Sequence, residues 1–305
     1  MQYRGPVLGY FGPAGTFTHQ ALLTISDDEA TPFDTVTEAV EAVRDGLVDG
    51  VVVPIENSVE GGVTATLDRL GNGDPLRIVG EVVIPVEFGL YVRAGTKLDQ
   101  VRSVITHGHA AAQCRDWITA VMPNARVTEA GSTAGAAREV AKHDSTFDAA
   151  ISARVAGEIY GLEELAYNIE DNPGAVTRFV HVALPQRLPE RTGADKTTLV
   201  AYMREDHPGA LLEILEQFSG RGVNLCRIES RPTKTVLGSY CFNIDAEGHL
   251  HDKRMAESLM GLKRICRDVV FLGSYPRADH REPELRHGFA DVDFEKAKAW
   301  LSTLE

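Results

Sequence analysis

Between Pro6 and Leu184 short Val- and Ile-rich runs alternate with stretches of helical period, and few folds accommodate that alternation. The runs "PVLGYFG", "VDGVVVPIE" and "RIVGEVVIPVEFGLYVR" read as strands, and "FTHQALLTIS" and "VTATLDRL" between them as helices. A second series, "VRSVIT", "AAAQCRDWITAV", "ARVTEA", "TAGAAREVAKH", "FDAAIS" and "ARVAGEIYG", repeats the pattern and closes on "VTRFVHVAL". This is the pattern of an α/β fold. Two similar lobes are expected, lobe A over about residues 1–83 and 175–190 and lobe B over about 84–174. The chain would cross near Val82–Tyr91 and return near Asn172–Phe179, leaving a cleft where the strands end, the place such folds bind ligands.

The stretch "PQRLPERTGAD" (Pro185 to Asp195) has little apolar content and reads as a linker. After it the order changes. Residues 196–276 give strand, helix, strand, strand, helix, strand, which is the ferredoxin-like βαββαβ arrangement. Pro208 suits the first helical position of "PGALLEILEQFSGRG", and Gly220 and Gly222 suit its end. The tail, 277–305, is polar until "DFEKAKAWLSTLE", a short amphipathic helix.

Composition excludes several classes. Of 305 residues 43% are hydrophobic, enough to fill real cores, yet no run approaches the roughly 18 apolar residues of a membrane span. The start "MQYRGPVLGYFGPAG" lacks the apolar region of a signal peptide, so a cytoplasmic location is expected, with no membrane partner. Residues 1–195 carry a net charge of −12 and residues 196–276 one of +1. Nucleic acid is therefore not an expected partner, and any anion bound by the first part must be held by a few local donors. Cys114, Cys226, Cys241 and Cys266 are scattered without CxxC spacing, so a zinc site or a disulfide framework is unsupported and reduced, packed thiols are expected.

Four stretches could carry chemistry. In "GYFGPAGTFTHQAL", Gly12 and Gly15 allow close backbone approach and Thr16 can cap a helix whose amides face an anion, but the Gly-Lys-Ser/Thr ending of a Walker A loop is missing. In "PIENSVEGGV", Glu56, Asn57 and Ser58 follow a hydrophobic strand and so fall at its tip. "ITHGHAAAQCRDW" places Thr106, His107 and His109 at a strand end and Gln113 one turn into a helix; the histidines lack a third ligand at metal spacing, so no metal is expected. "GSTAGAAREVA" is a small-residue helix start suited to close packing. Finally, "EDNPGAVTRFVHV" delivers Thr177, Arg178 and Phe179 from a Gly/Pro loop directly into a strand.

Together "GPAGTFT", "PIENS…GG", "STAGAA" and "YGLEELAYNIEDNPGAVTRF" resemble prephenate dehydratase, and "PGALLEIL" with "IESRP" resembles the regulatory ACT domain that this family carries. The resemblance spans about residues 6 to 275. It implies a catalytic region, 1–190, with the two-lobed type II fold of periplasmic binding proteins, and an ACT domain over 196–276. The sequence departs from the family's usual Ser-His-Pro-Gln, having Thr106-His107-Gly108-His109 instead, and has Ala175 where an asparagine is common. A fused N-terminal chorismate mutase bundle is not expected.

The implied reaction converts prephenate to phenylpyruvate, carbon dioxide and water in phenylalanine biosynthesis, and aromatisation drives it without a cofactor. The resemblance assigns catalysis to Thr177, Glu56 and Asn57. It assigns substrate binding to Arg178, Phe179, Ser58, Thr106, Gln113, Gly15 and Thr16. Thr177 either steadies the departing hydroxide itself or relays a proton from Glu56 held in a dry cleft. L-Phenylalanine is implied as the allosteric effector, bound between paired ACT domains of a homo-oligomer, a dimer or tetramer, by Gly209, Ala210, Leu211, Asn224, Glu229, Ser230 and Arg231. Without the resemblance, Glu229 and Arg231 read as an exposed pair on a strand. An arogenate dehydratase is the nearest alternative. A ligand-binding protein without catalysis is the next.

Overall fold

A computed structural model describes residues 6–233 and 240–304. The chain forms two compact units, residues 1–66 with 82–180, and 67–81 with 181–305. In chain order the first eight elements are β1 (Leu8–Phe11), α1 (Phe17–Leu23), β2 (Thr31–Phe33), α2 (Val36–Arg44), β3 (Gly50–Asn57), β4 (Gly61–Gly62), α3 (Thr64–Leu70) and β5 (Arg77–Pro85). Then come β6 (Gly89–Val92), β7 (Ser103–His107), α4 (Gly108–Gln113), α5 (Arg115–Val121), β8 (Arg126–Ala130), α6 (Thr133–Val140), β9 (Ala149–Ser152), α7 (Arg154–Tyr160), β10 (Glu163–Tyr167) and β11 (Val176–Ala183).

These elements build two mixed sheets. The first has the order β2-β1-β3-β11-β5, with β4 paired to β3, and the second β10-β6-β9-β7-β8. In the first, β1 runs parallel to both β2 and β3, and in the second β7 runs parallel to both β8 and β9. The first unit is thus two-lobed and α/β. Lobe A packs Leu8, Tyr10, Leu22, Val52 and Ile84 into one core, and lobe B packs Leu90, Val104, Ile118 and Ile151 into another. Between the sheets the chain passes through residues 86–88 and returns through 168–175. The two passages are joined where the Val86 amide donates to the Ala175 carbonyl at 2.8 Å.

The run "RIVGEVVIPVEFGLYVR" is therefore two strands in two sheets, split at the crossing. "AAAQCRDWITAV" is likewise two helices, because Cys114 (φ −117°, ψ 16°) breaks the turn while its thiol enters the lobe B core. Burial pushes that thiol up to about 12. Two elements carried too little pattern to be read from sequence: strand β2 is three residues with a central proline, and β10 begins with two glutamates on the sheet edge. Helix α2, absent from the sequence reading, was signalled by the capping box between Thr35 and Glu38 and by Val36, Ala39, Val40 and Val43 at helical spacing.

The second unit contains β12 (Asp195–Tyr202), α8 (Ala210–Ser219), β13 (Leu225–Pro232), β14 (Tyr240–Glu247), α9 (Lys253–Ile265), β15 (Asp268–Pro276) and α10 (Asp291–Leu301). Leu237–Ser239, the start of the strand expected at "LGSYCFNIDA", lies outside the described residues. The four strands form an antiparallel sheet of order β13-β14-β12-β15, the βαββαβ arrangement. Leu199, Ile214, Phe218, Ile244, Met255 and Leu262 form the core between the sheet and its two helices.

Residues 67–81 belong to this unit although the sequence places them with lobe A. Tyr202 donates to the Gly71 carbonyl at 2.7 Å, Arg77 to that of Phe271 at 2.6 Å, and Lys196 meets both carboxylate oxygens of Glu81. Helix α8 starts later than expected: Pro208 precedes it, and Gly209 (φ 96°) caps it in the left-handed region that glycine alone enters freely. Helix α10 has no buried residue and is tied at its start, where Asp291 accepts from Arg191 at 2.7 Å and from the Lys253 amide at 2.8 Å. Among the described residues no helix is long and apolar enough to cross a membrane.

Candidate active site

Strand β3 is fully buried from Val51 to Val53 and at Ile55, then emerges at Glu56 and Asn57. The polar tip expected there is present and tightly built. Asn57 Oδ1 accepts from the amides of Val59 at 2.8 Å and Glu60 at 3.2 Å, closing a turn over the loop. Ser58 donates its amide to the Val176 carbonyl and accepts the Val176 amide on its hydroxyl, both at 2.9 Å. The loop is thereby stitched to the start of β11.

That stitching delivers Thr177 to Asn57. The side-chain amide of Asn57 donates to Thr177 Oγ1 at 2.8 Å. Its orientation follows from its partners, because the oxygen already takes two backbone amides and the NH2 group must face the threonine. A hydroxyl has one donor and two acceptor positions, and Asn57 fills an acceptor. The Thr177 proton is left to point at a third group. Thr177 is 9% exposed and Arg178 7%. Arg178 Nε lies 3.4 Å from Glu56 Oε2, and the Glu56 side chain is 36% exposed. Glu56 is therefore a partly solvated partner of a guanidinium, which differs from the enclosed proton donor that the relay would require.

Not every expected substrate contact lies open to a ligand. Phe179 is 2% exposed and packs with Leu8, Tyr10 and Leu22 in the lobe A core, so it supports the strand from beneath. Thr106 is fully buried and donates its hydroxyl to the Ile151 carbonyl at 2.7 Å, a tie between β7 and β9. The Gly15 amide donates to His19 Nδ1 at 3.2 Å and the Thr16 amide to the Pro13 carbonyl at 3.3 Å, so neither faces an anion. Thr16 does cap α1, accepting from the His19 amide at 3.2 Å. Gly15 is instead a point of close approach: a Cβ there would stand 2.9 Å from Ala156 on α7, and Tyr160 donates to the neighbouring Ala14 carbonyl at 2.9 Å. Gln113 ends α4, half-buried, and its carbonyl accepts the Asp171 amide at 2.6 Å.

Glu170 and Asp171, which carry no role in the sequence reading, anchor the loop before Thr177. Glu170 accepts the Phe88 amide at 2.9 Å, and the Asp171 carboxylate accepts the amides of Asp116 and Trp117 at 3.1 and 3.2 Å. The signal was two acids directly before Asn-Pro-Gly. His109, weighed in sequence only as a metal ligand, places Nδ1 2.6 Å from Glu60 Oε1. Among the described residues no group of three or more His, Cys, Asp or Glu could hold a metal ion. Three cysteines are buried, whereas Cys226 is exposed, unlike the packed thiol expected.

In the second unit the residues assigned to an effector do not converge within one copy of the chain. Ala210 lines a cavity of about 350 Å³ with Arg204, His207, Glu213 and Cys266, beside Gly209. Leu211 is 40% exposed, and Asn224 and Ser230 are also exposed. Glu229 and Arg231 turn to the opposite face of the sheet. There Glu229 lies 3.3 Å from Arg227 and 3.6 Å from Arg231, and Arg231 lies 3.1 Å from Asp68.

The fold is that of a two-lobed α/β protein, with a buried hydroxyl and a buried guanidinium at consecutive positions where β11 begins. Residues 8–187 match the family model for prephenate dehydratase. A curated prephenate dehydratase from Amycolatopsis methanolica is 44% identical over 98% of this chain and 97% of its own length. A solved prephenate dehydratase from Arthrobacter aurescens, in complex with L-Phe, is 49% identical, covers 98% of this chain and 99% of its own, and superposes with a TM-score of 0.92. A third protein, GqqA, described as a novel type of quorum quenching acylases, is 30% identical over 90% of this chain, with a TM-score of 0.81. The chain belongs to the prephenate dehydratase family.

Proposed function

We propose that the chain converts prephenate to phenylpyruvate, with Thr177 donating to the leaving hydroxyl. As the C–O bond breaks, the electron pair of the ring carboxylate's C–C bond enters the ring and carbon dioxide leaves. The hydroxide, hydrogen-bonded by Thr177, takes up a proton from solvent to become water, so the threonine is left unchanged. The observation that carries this reading is the Asn57–Thr177 bond, which occupies an acceptor position of the threonine and frees its proton. Arg178 receives a substrate carboxylate in competition with Glu56, and Asn57 and Ser58 hold the threonine's strand in place. The half-exposed, ion-paired setting of Glu56 favours Thr177 acting with Asn57 over a relay through Glu56. Gln113 remains a candidate orienting group. Incubating the full chain with prephenate and following phenylpyruvate absorbance tests the activity, and equal or faster turnover of arogenate would move the assignment to that substrate.

The βαββαβ unit is read as an ACT domain that binds L-phenylalanine and lowers activity. The L-Phe complex of the Arthrobacter aurescens relative supports this, as does the cavity beside Gly209 and Ala210. Because the remaining assigned residues do not join that cavity in one copy, the reading requires a second chain to complete the site. It therefore predicts a homo-oligomer, dimer or tetramer. L-Phenylalanine must favour a less active arrangement to inhibit. A flat activity response at millimolar L-phenylalanine would rule the regulation out.

A further inference from the structure

We propose that His109 is a positioning residue for this reaction, drawing lobe B onto lobe A through Glu60, and that the hold tightens as its imidazole gains a proton. The inference rests on the prephenate reading above. Glu60 sits on the loop between β3 and β4 of lobe A, and its amide is held by the same Asn57 that holds Thr177. His109 sits in the first turn of α4 in lobe B. The contact of 2.6 Å between Nδ1 and Oε1 is therefore made three residues from the proposed hydrogen-bond donor's partner, and it ties one lobe to the other.

The charged groups around it fix the sign. From lobe A the facing group is Glu60. On lobe B, the His107 ring lies 5.0 Å from that of His109, and Glu129 on β8 reaches within 3.2 Å of where a Cβ on Gly108 would stand. His107 accepts the His109 amide on Nδ1 at 3.3 Å as the cap of α4, a role that needs the unprotonated nitrogen, and burial together with the His109 charge lowers its pKa. A protonated His109 thus meets the Glu60 carboxylate and an uncharged neighbour. Histidine exchanges its charge between about pH 5 and 8. The hold is strongest at the acid end of that range and weakens as pH rises.

The side chains are 65% and 43% exposed, so the effect on KM is modest, up to about five-fold, as for other solvent-facing pairs. KM and kcat for prephenate are measured on the full chain between about pH 6 and 8.5, with enzyme-free blanks, for the parent, His109→Gln, Glu60→Gln and His107→Asn. The parent KM is expected to rise with pH, with kcat much less affected. His109→Gln and Glu60→Gln should flatten that rise equally, and His107→Asn, which keeps a capping acceptor, should retain it. A rise that persists in His109→Gln, or disappears in His107→Asn, overturns the proposal. So does a Glu60→Gln variant with lower KM and an undiminished slope, the result expected if His109 bound substrate directly. If the parent does not turn over prephenate, the functional reading fails instead, and a double-mutant cycle of His109→Gln and Glu60→Gln in thermal melting still decides the hold. A favourable coupling between the two positions is expected, and additive effects overturn it.

Discussion

Thr177-Arg178 in the first unit and Glu229-Ser230-Arg231 in the second are polar runs on β-strands, yet their surroundings differ in kind. In the first, Asn57 and Ser58 commit their hydrogen bonds to backbone and to holding Thr177, whose proton is left over. In the second, charges answer charges: Arg227 Nε meets Asp245 at 2.9 Å, Thr198 donates to the same carboxylate at 2.7 Å, and Lys196 meets Glu81. Groups of the first kind leave a donor that the internal bonds do not use, as the proposed function requires. Those of the second kind hold a sheet to the segment covering it. The difference shows that a polar strand motif gains its meaning from which of its valences the fold itself consumes.

The sharpest way to break this contrast is to remove one member from each side. Thr177→Ala should lower kcat by about 10²–10⁴-fold, the usual worth of a positioned donor, while circular-dichroism melting shows a fold close to the parent's. A near-parental kcat would remove Thr177 from the reaction. Arg227→Met should do the reverse, taking the guanidinium away from the fully buried Asp245 and costing up to about 3–5 kcal/mol in denaturant unfolding, with turnover per folded molecule retained. If that variant loses turnover but not stability, the two regions do not differ in kind.

Smaller changes sharpen the comparison. Arg178→Lys keeps the charge but loses the planar fork, and should raise KM for prephenate about 10- to 100-fold, since hydrogen bonds to charged groups are worth about 1.5–3 kcal/mol. An unchanged KM would mean that Arg178 holds no substrate carboxylate. The smallest effect lies at the exit of β15, where the Arg277 guanidinium pulls Asp279 down to about 2. A depressed carboxylate stabilises the fold above its unfolded value and loses that contribution as pH falls from about 4 toward 2. Because the Asp279 side chain is 55% exposed, the contribution stays below about 1 kcal/mol. Asp279→Asn should therefore be slightly less stable than the parent at pH 7 and equal to it near pH 2.

Much of this was legible in the chain. The tip of β3 could be placed because an unbroken apolar strand must surface where Glu56-Asn57-Ser58 begins, and Thr16 could be placed because a hydroxyl before a helical period is a cap. What sequence could not supply was the partner. Thr106 carries a hydroxyl that looks free until Ile151, 45 residues on, takes it. Gly15 permits both an open amide and a tight approach, and only the presence of Ala156 decides between them. Pairs such as Lys196 with Glu81, 115 residues apart, leave no local pattern at all. Phe179 shows the same limit: an aromatic next to a buried polar pair reads alike whether it faces a ligand or the core.

The assignment of residues 67–81 to the second unit means that the chain is not modular at its linker. Severing it near Pro185 would strip Arg77 and Glu81 of the carbonyl and ammonium they bind, and would leave the stretch entering β5 hanging from the remaining fragment. Any truncation, natural fusion or domain swap that treats the two units as beads on a string would cut through interlaced pieces, and no single proteolytic nick separates them cleanly.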